Sequence, residues 1–247
     1  MNILIKLSGE SLAGSNADHR GIDDDYVEKI CTRIKKVHDM GVGIGIVPGG
    51  GNFMRGGRTS KVITREVADY MGMLGTIMNG LALYDAFNRL GAPSYLQSGL
   101  STATPMADDL DSNKAKEAIQ EGKIVVFSGG TGHPGCSTDT ASAGRAKDIA
   151  ADVIVKLTNV DGVYDKDPDE YPDAIMYEKV NIDEVINKEL GIMDLGAMKM
   201  CRDNKVDIVV MNINDDDGLI KLVNGEKIGT RVYNDRGELW VYQCHIL

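Results

Sequence analysis

No stretch of this 247-residue chain reads G-x-x-x-x-G-K-[ST], so the Walker phosphate loop is excluded although 29 residues are glycine. Cysteine is sparse: Cys31, Cys136, Cys201 and Cys244 lie far apart and form no CxxC. That pattern excludes a zinc cluster or a disulfide framework and fits free thiols in a reducing compartment. Apolar runs stay below the roughly 18 residues that span a membrane. Positive charge is short as well, since 27 Lys and Arg against 37 Asp and Glu leave a net charge of −10. A nucleic-acid partner is therefore not expected, because a phosphate backbone needs a basic face. Neither a low-complexity linker nor an internal repeat is present, and Met1 leads straight into Ile3-Leu4-Ile5 without a basic, apolar and cleavable leader. A cytoplasmic protein with no membrane contact is the expectation.

With 43% apolar and 26% charged residues the composition is globular, and the length suits one compact unit. Short β-like runs alternate with helix-length segments. Strands are expected at 3–7, 42–47, 123–127, 152–157 and 207–211, and helices at 24–40, 65–90, 138–149, 182–188 and 194–204, with a turn-rich stretch at 159–173. This is the α/β pattern with a mainly parallel central sheet and helices on both faces, an αβα sandwich. Ile124-Val125-Val126-Phe127 and Val153-Ile154-Val155 are apolar on both faces, as buried parallel strands should be. The acidic run Asp215-Asp216-Asp217 reads as a solvated, helix-starting turn. Met71, Met73, Leu74 and Met78 form a stripe read as core, with a subunit interface as the other reading. A single domain is expected over 1–234. The tail 235–247, which holds Trp240, the only tryptophan, would add a strand or hairpin.

Glycine-rich turns follow several predicted strands. Lys6-Leu7-Ser8-Gly9, Gly49-Gly50-Gly51-Asn52, Gly129 to Gly132 and Thr158 to Asp161 all fall at carboxyl ends, where open α/β sheets gather ligands. Without a Cβ the backbone N–H groups can approach an anion, and a following helix N-terminus favours negative charge. A small phosphate ligand is the reading these turns favour, although each alone could be an ordinary strand-to-helix turn. Gly130-Thr131-Gly132-His133-Pro134-Gly135 also fits the dinucleotide string G-x-G-x-x-G. Its late position, its proline and the missing acidic residue about 20 positions on weigh against a dehydrogenase.

In their order, these segments resemble the amino-acid-kinase superfamily and, more closely, bacterial uridylate (UMP) kinases. Further landmarks are Pro48 to Gly56, Ala68-Asp69-Tyr70-Met71-Gly72, Thr131 to Ala141, Thr158 to Pro168, Met193-Asp194-Leu195-Gly196, Cys201 to Asn204 and Ile228 to Val232. The resemblance implies transfer of the ATP γ-phosphoryl group to UMP in pyrimidine biosynthesis. It also implies magnesium held mainly through nucleotide phosphates, with no dedicated protein metal site, and a homohexamer. Lys6 matches the catalytic lysine, which otherwise would be an interfacial lysine ending a strand. Arg55, with Arg58 as its alternative, suits bidentate phosphate binding, and Asp139 and Asp194 match active-site acids. ATP would meet Lys6, Leu7, Ser8, Gly9, Gly51, Arg55, Thr158, Tyr164 and Asp167. UMP would meet Gly50, Asp69 and the loop Thr131, Gly132, His133, Pro134, Gly135, Cys136, Ser137 and Thr138.

Three departures stand out. His133 and Gly135-Cys136 replace the asparagine and two phenylalanines of the family's TGNPFFTTD loop, which removes aromatic bulk and bears on acceptor choice. An arginine pair usual in the family gives way to Ser112-Asn113-Lys114-Ala115-Lys116 after an acidic stretch, which bears on regulation and hexamer contacts. Lys199 stands where an uncharged residue is usual, as a further cation of the site or as a solvated side chain. Two alternatives follow: a paralogue that phosphorylates another small phosphate, carboxylate or carbamate, and a non-catalytic nucleotide-binding regulator.

Overall fold

The computed structural model describes residues 1–14, 20–54, 62–101 and 104–235. In chain order its elements are β1 (Asn2–Leu7), a 3-10 turn (Glu10–Ala13), α1 (Asp24–His38), β2 (Gly43–Pro48), α2 (Arg65–Arg89), β3 (Ser94–Ser98) and β4 (Asp108–Asp109). There follow α3 (Ser112–Gln120), β5 (Ile124–Ser128), α4 (Thr138–Asp148), β6 (Val153–Thr158), β7 (Lys179–Asn181), α5 (Ile182–Lys188), α6 (Leu195–Asp203), β8 (Asp207–Asn212), α7 (Gly218–Val223) and β9 (Thr230–Tyr233). One nine-stranded sheet runs β4-β3-β5-β2-β1-β6-β8-β9-β7. Every pairing is parallel except β8 with β9.

Alternation along the strands makes the two faces. Ile3, Ile5 and Leu7 join Ile44, Ile46, Val153 and Val155 under α1, α2 and α7. Leu4 looks the other way with Val125, Phe127, Ile154 and Ile208, against Ala141 and Ala146 of α4 and Ala197 and Met198 of α6. A period of two sends successive side chains to opposite faces, so strands apolar throughout need helices on both sides. The result is the expected three-layer αβα sandwich. Among the described residues no helix is long and apolar enough to cross a membrane.

Two expectations need correction. Of the methionine stripe only Met73 is core, at 7% exposed, while Met71, Leu74 and Met78 are 40% to 48% exposed on the outer side of α2. These three stand at helical spacing on one face, which a 25-residue helix touching the sheet along its other face leaves outside. The acidic run precedes a helix as expected, but it is not simply solvated. Asp216 pairs with the buried Arg33 and with Lys29, and Asp215 with Lys221, so the run fastens α7 to α1. The acidic stretch before α3 is an edge pairing followed by a cap: Asp108 accepts from the Tyr95 hydroxyl at 2.7 Å, and Asp111 accepts from the amides of Asn113 and Lys114. The tail beyond Asp235, with Trp240 and Cys244, lies outside the described residues.

Candidate active site

Strands β5, β2, β1, β6 and β8 are neighbours and parallel, so their carboxyl ends share one rim. The turns there touch through backbone. Gly49 N donates to Leu7 O at 2.8 Å, and a Cβ on Gly9 would stand 2.6 Å from Gly51 N and 2.7 Å from Gly49 O. Only glycine permits that approach. From below, α2 fixes the turns. Asn79 Nδ2 donates to Gly49 O at 2.6 Å and to Asn52 Oδ1 at 2.8 Å, and Asn52 Nδ2 returns a bond to Asn79 Oδ1 at 2.9 Å. One helical turn earlier the Thr76 hydroxyl accepts from Gly129 N at 2.8 Å and so holds the turn after β5. Both asparagines and Thr76 are buried, where each polar group needs a partner.

Two helices begin at this rim. Ser137 caps α4, its hydroxyl oxygen accepting from the amides of Asp139 and Thr140, and Asp194 caps α6 by accepting from Ala197 N at 2.8 Å. The Ser137 hydroxyl also donates to Asp194, as does the Thr140 hydroxyl at 3.1 Å, so the two N-termini are tied together. Burial alone would raise the Asp194 carboxyl. The hydrogen bonds from Ser137, Ala197 N, Thr140 and Gly196 N outweigh it and hold the group below the usual carboxylate range.

Lys6, near the end of β1, extends to Asp139 in the first turn of α4, with Nζ 3.1 Å from Oδ1. Lys156 of β6 reaches the same carboxylate at Oδ2, 3.5 Å away, and donates to the carbonyl of Ile192. Burial pushes the Lys156 ammonium below the ordinary lysine range, and the nearby Lys6 charge adds to this while Asp139 and Asp194 oppose it. Lys156 was not singled out from the sequence. Its signal was there, as one lysine within the otherwise apolar Val153-Ile154-Val155-Lys156-Leu157.

Two cavities open near this cluster, one lined by Thr138 and Asp194 and the other by Lys156. One, of about 520 Å³, is lined by Gly50, Asp69, His133, Gly135, Cys136, Ser137, Thr138 and Asp194, all singled out from the sequence. It also takes in Gly51, expected on the ATP side, and Arg65, Thr76 and Thr140, which sequence reasoning missed. The other, of about 490 Å³, brings together Thr158, Tyr164 and Asp167 with Lys156, Lys166 and Lys188. Of the residues assigned to the donor, Thr158, Tyr164 and Asp167 line the second cavity and Gly51 the first, while Lys6, Leu7, Ser8 and Gly9 line neither. Asp69 is committed in both oxygens: Oδ2 accepts from Gly135 N at 2.8 Å and Oδ1 from Arg65 Nε at 3.0 Å. It pins the altered loop to α2.

Other candidates stand outside these linings. Thr131 exchanges bonds with His133 through its hydroxyl, Gly132 turns the loop at φ 79°, and Pro134 follows; these three shape the loop rather than the cavity. The side chain of Leu7 is wholly in the core, leaving only its backbone to a ligand, and the Ser8 carbonyl accepts from Ser11. Lys199 is exposed on α6 and lines neither of the two cavities. Arg55 and Arg58 lie outside the described residues. Cys136 is exposed at the first cavity, whereas burial pushes the thiols of Cys31 and Cys201 up to about 12 and leaves them inert. Among the described residues no group of three or more His, Cys, Asp or Glu side chains gathers as a metal cage.

A mainly parallel sheet between helical layers, with glycine turns and a lysine-flanked aspartate at one rim, is an arrangement that suits phosphoryl transfer. The family model for the amino acid kinase family matches residues 1–212, and the chain belongs to that family. Among solved structures it is similar to the UMP kinase from Ureaplasma parvum, with 31% identity over 95% of this chain and 99% of that one, at a TM-score of 0.88. The UMP kinase from Bacillus anthracis is 31% identical over 95% and 96% of the two chains, at a TM-score of 0.90. The uridylate kinase from Archaeoglobus fulgidus, 24% identical over 94% of this chain and 100% of that one with a TM-score of 0.68, shares the fold. Membership in this family leaves the dehydrogenase reading of the Gly130 to Gly135 string without support.

Proposed function

We propose that this chain is a nucleoside monophosphate kinase that transfers the γ-phosphoryl group of ATP to UMP, giving UDP and ADP. The observation that carries this is the Lys6–Asp139–Lys156 cluster at a rim with two cavities, one lined by Thr138 and Asp194 and one by Lys156, in a chain 31% identical to two UMP kinases over almost its whole length. In the reaction an oxygen of the UMP phosphate forms a bond to the γ-phosphorus, the bond to the β,γ-bridging oxygen breaks, and its electrons leave on ADP. The acceptor oxygen is already anionic and needs no base, so catalysis consists of alignment and charge neutralisation.

Each residue has a role in those terms. Lys6 neutralises charge on the moving group, and Asp139 holds the lysine in place rather than taking a proton. Gly9, Gly50 and Gly51 present backbone to phosphates, with Ser8, Leu7 through its amide, and Arg55 beside them. The cavity of Thr158, Tyr164 and Asp167 takes the ATP nucleoside. The cavity of Asp69 and the 131–138 loop takes UMP, where Gly135 and Cys136 leave more room than two phenylalanines. Magnesium suits a site of this kind when its ligands come mostly from nucleotide phosphates and water, since Asp139 and Asp194 already serve lysines, hydroxyls and amides. When bound it would neutralise phosphate charge.

The same reading includes a homo-oligomer, a hexamer by resemblance to the family, and the exposed apolar face of α2 supports an assembly. A cytoplasmic role in pyrimidine biosynthesis goes with it, in keeping with the free thiols Cys31, Cys136 and Cys201. The test is ADP release from ATP and magnesium with UMP, CMP, dUMP, carbamate and small phosphorylated alcohols as acceptors. UMP should be preferred by at least about tenfold; a preference for carbamate or a phosphorylated alcohol would reject the acceptor assignment.

A further inference from the structure

Lys6 and Lys156 are register partners across the β1–β6 ladder, a position in which like charges destabilise a sheet. Asp139 answers both, with one oxygen for each ammonium. The side chains of Lys6, Asp139 and Lys156 are 13%, 15% and 17% exposed, so two largely desolvated cations share one carboxylate. Asp194 is the next acid, but its oxygens are occupied by Ser137, Thr140 and Ala197 N. One positive charge is therefore left over at the rim. A buried excess charge is costly unless a counter-charge arrives. Packing alone would be served better by a valine or leucine at position 156, as at its neighbours on the strand.

An ammonium carries three N–H donors. Lys156 gives one to the Ile192 carbonyl and one to Asp139, and its side chain lines the cavity of Thr158, Tyr164 and Asp167. We propose that Lys156 is a second phosphate-binding cation of this enzyme: it contacts the phosphate chain of the donor nucleotide alongside Lys6, and Asp139 holds the two lysines apart until that anion is bound. Lys199, the extra cation noticed in the sequence, does not fill this place. The proposal rests on the donor-site reading of that cavity, and it goes further by assigning the anion that balances the surplus charge.

The test compares two ligands that share a nucleoside and differ in phosphate. Dissociation constants for MgATP and for adenosine are measured calorimetrically on the unaltered protein, on Lys156→Met and on Lys156→Gln, together with KM for ATP and for UMP. Losing one charge-assisted contact should weaken ATP by about tenfold to a hundredfold. Adenosine affinity and the KM for UMP should change by less than about twofold, the size of an ordinary surface effect. Equal weakening of ATP and adenosine means that Lys156 only supports the fold around Ile192, and that overturns the proposal, as does an unchanged ATP affinity. Failure of the unaltered protein to bind ATP would remove the donor-site reading as well, so the two failures are distinct. If neither variant folds, the unaltered protein decides: ATP, and not adenosine, must slow reductive methylation of the Lys156 amine, read from its peptide by mass. Equal slowing by both ligands overturns the proposal.

Discussion

Replacing Asp139 by asparagine keeps the shape of the side chain and removes the one charge shared by Lys6 and Lys156. Two ammoniums then face each other across the β1–β6 ladder with only an amide carbonyl between them. Breaking a buried pair in this way costs about 3–5 kcal/mol when burial is complete. Here each side chain keeps some solvent, which reduces the cost. An upper limit comes from the escape route of the cluster, deprotonation of Lys156. From the ordinary lysine value of 10.5 down to pH 7.5 is three pH units at about 1.4 kcal/mol each, or about 4 kcal/mol. A loss of about 2–4 kcal/mol is therefore expected at pH 7.5.

The pH dependence has a definite sign. Lys156 already titrates below 10.5 in the folded chain, so between its folded and unfolded values the folded state binds fewer protons and stability rises with pH. The full penalty is present below the folded value. Without Asp139 the folded value falls further and the window widens downward. Urea unfolding of the unaltered protein, Asp139→Asn and Asp139→Asn/Lys156→Met at pH 7.5 and 9.5 measures this. The single variant should lose stability at constant m-value and recover part of it at pH 9.5, and the double variant should recover part of it at both pH values. A single variant within about 0.5 kcal/mol of the unaltered protein at pH 7.5 would refute the surplus-charge reasoning.

Three further outcomes follow from contacts at the rim. Gly9→Ala sets a Cβ 2.6 Å from Gly51 N, a backbone atom with no side chain to swing aside, so it should cost about 1–3 kcal/mol in thermal unfolding and raise the KM for ATP; an unchanged melting curve would contradict the close approach. Asn79→Ala takes the Asn79 partner from Gly49 O and Asn52 Oδ1, while Asn52 Nδ2 keeps its bond to Gly21 O, at about 1–3 kcal/mol by denaturant titration. Adding Asn52→Ala should then cost less than it does alone, and strict additivity would refute the coupling. Asp69→Asn weakens the hold on Gly135 N and Arg65, so the KM for UMP should rise about tenfold while that for ATP stays put; equal changes would show that Asp69 does not belong to the acceptor side alone.

Some helices were readable because a capping residue marks where they begin. α2 begins at Arg65 as expected and ends one residue short of the expected Leu90, and α5 spans 182–188 as expected; Thr64 and Asn181 cap their starts. β3 was missed because Ser94-Tyr95-Leu96-Gln97-Ser98 offers no apolar alternation. Gln97 and Ser98 are nonetheless buried with partners: the Gln97 side-chain amide donates to Asp111 O, the Gln97 backbone carbonyl accepts from Ser128 Oγ, and Ser98 Oγ donates to Leu100 O. α3 escaped notice because it buries only Ala115 and Ala118, and α7 because it has six residues. At the site, the strand-end glycines, Asp139, Asp194 and the 133–138 loop were legible from motif and order. What local sequence could not show was the facing of Lys6 and Lys156, which depends on the pairing of strands about 150 residues apart, or the clasp of Asn79 on the Gly49 turn.

The central claim, that the γ-phosphoryl group of ATP passes to UMP at the Lys6–Asp139 rim, is tested most directly by label transfer. In a single turnover with γ-32P-labelled ATP and magnesium, the account predicts radioactive UDP from the unaltered protein and none above background from Lys6→Ala. Label appearing as inorganic phosphate alone, or radioactive UDP formed equally by both proteins, would contradict it.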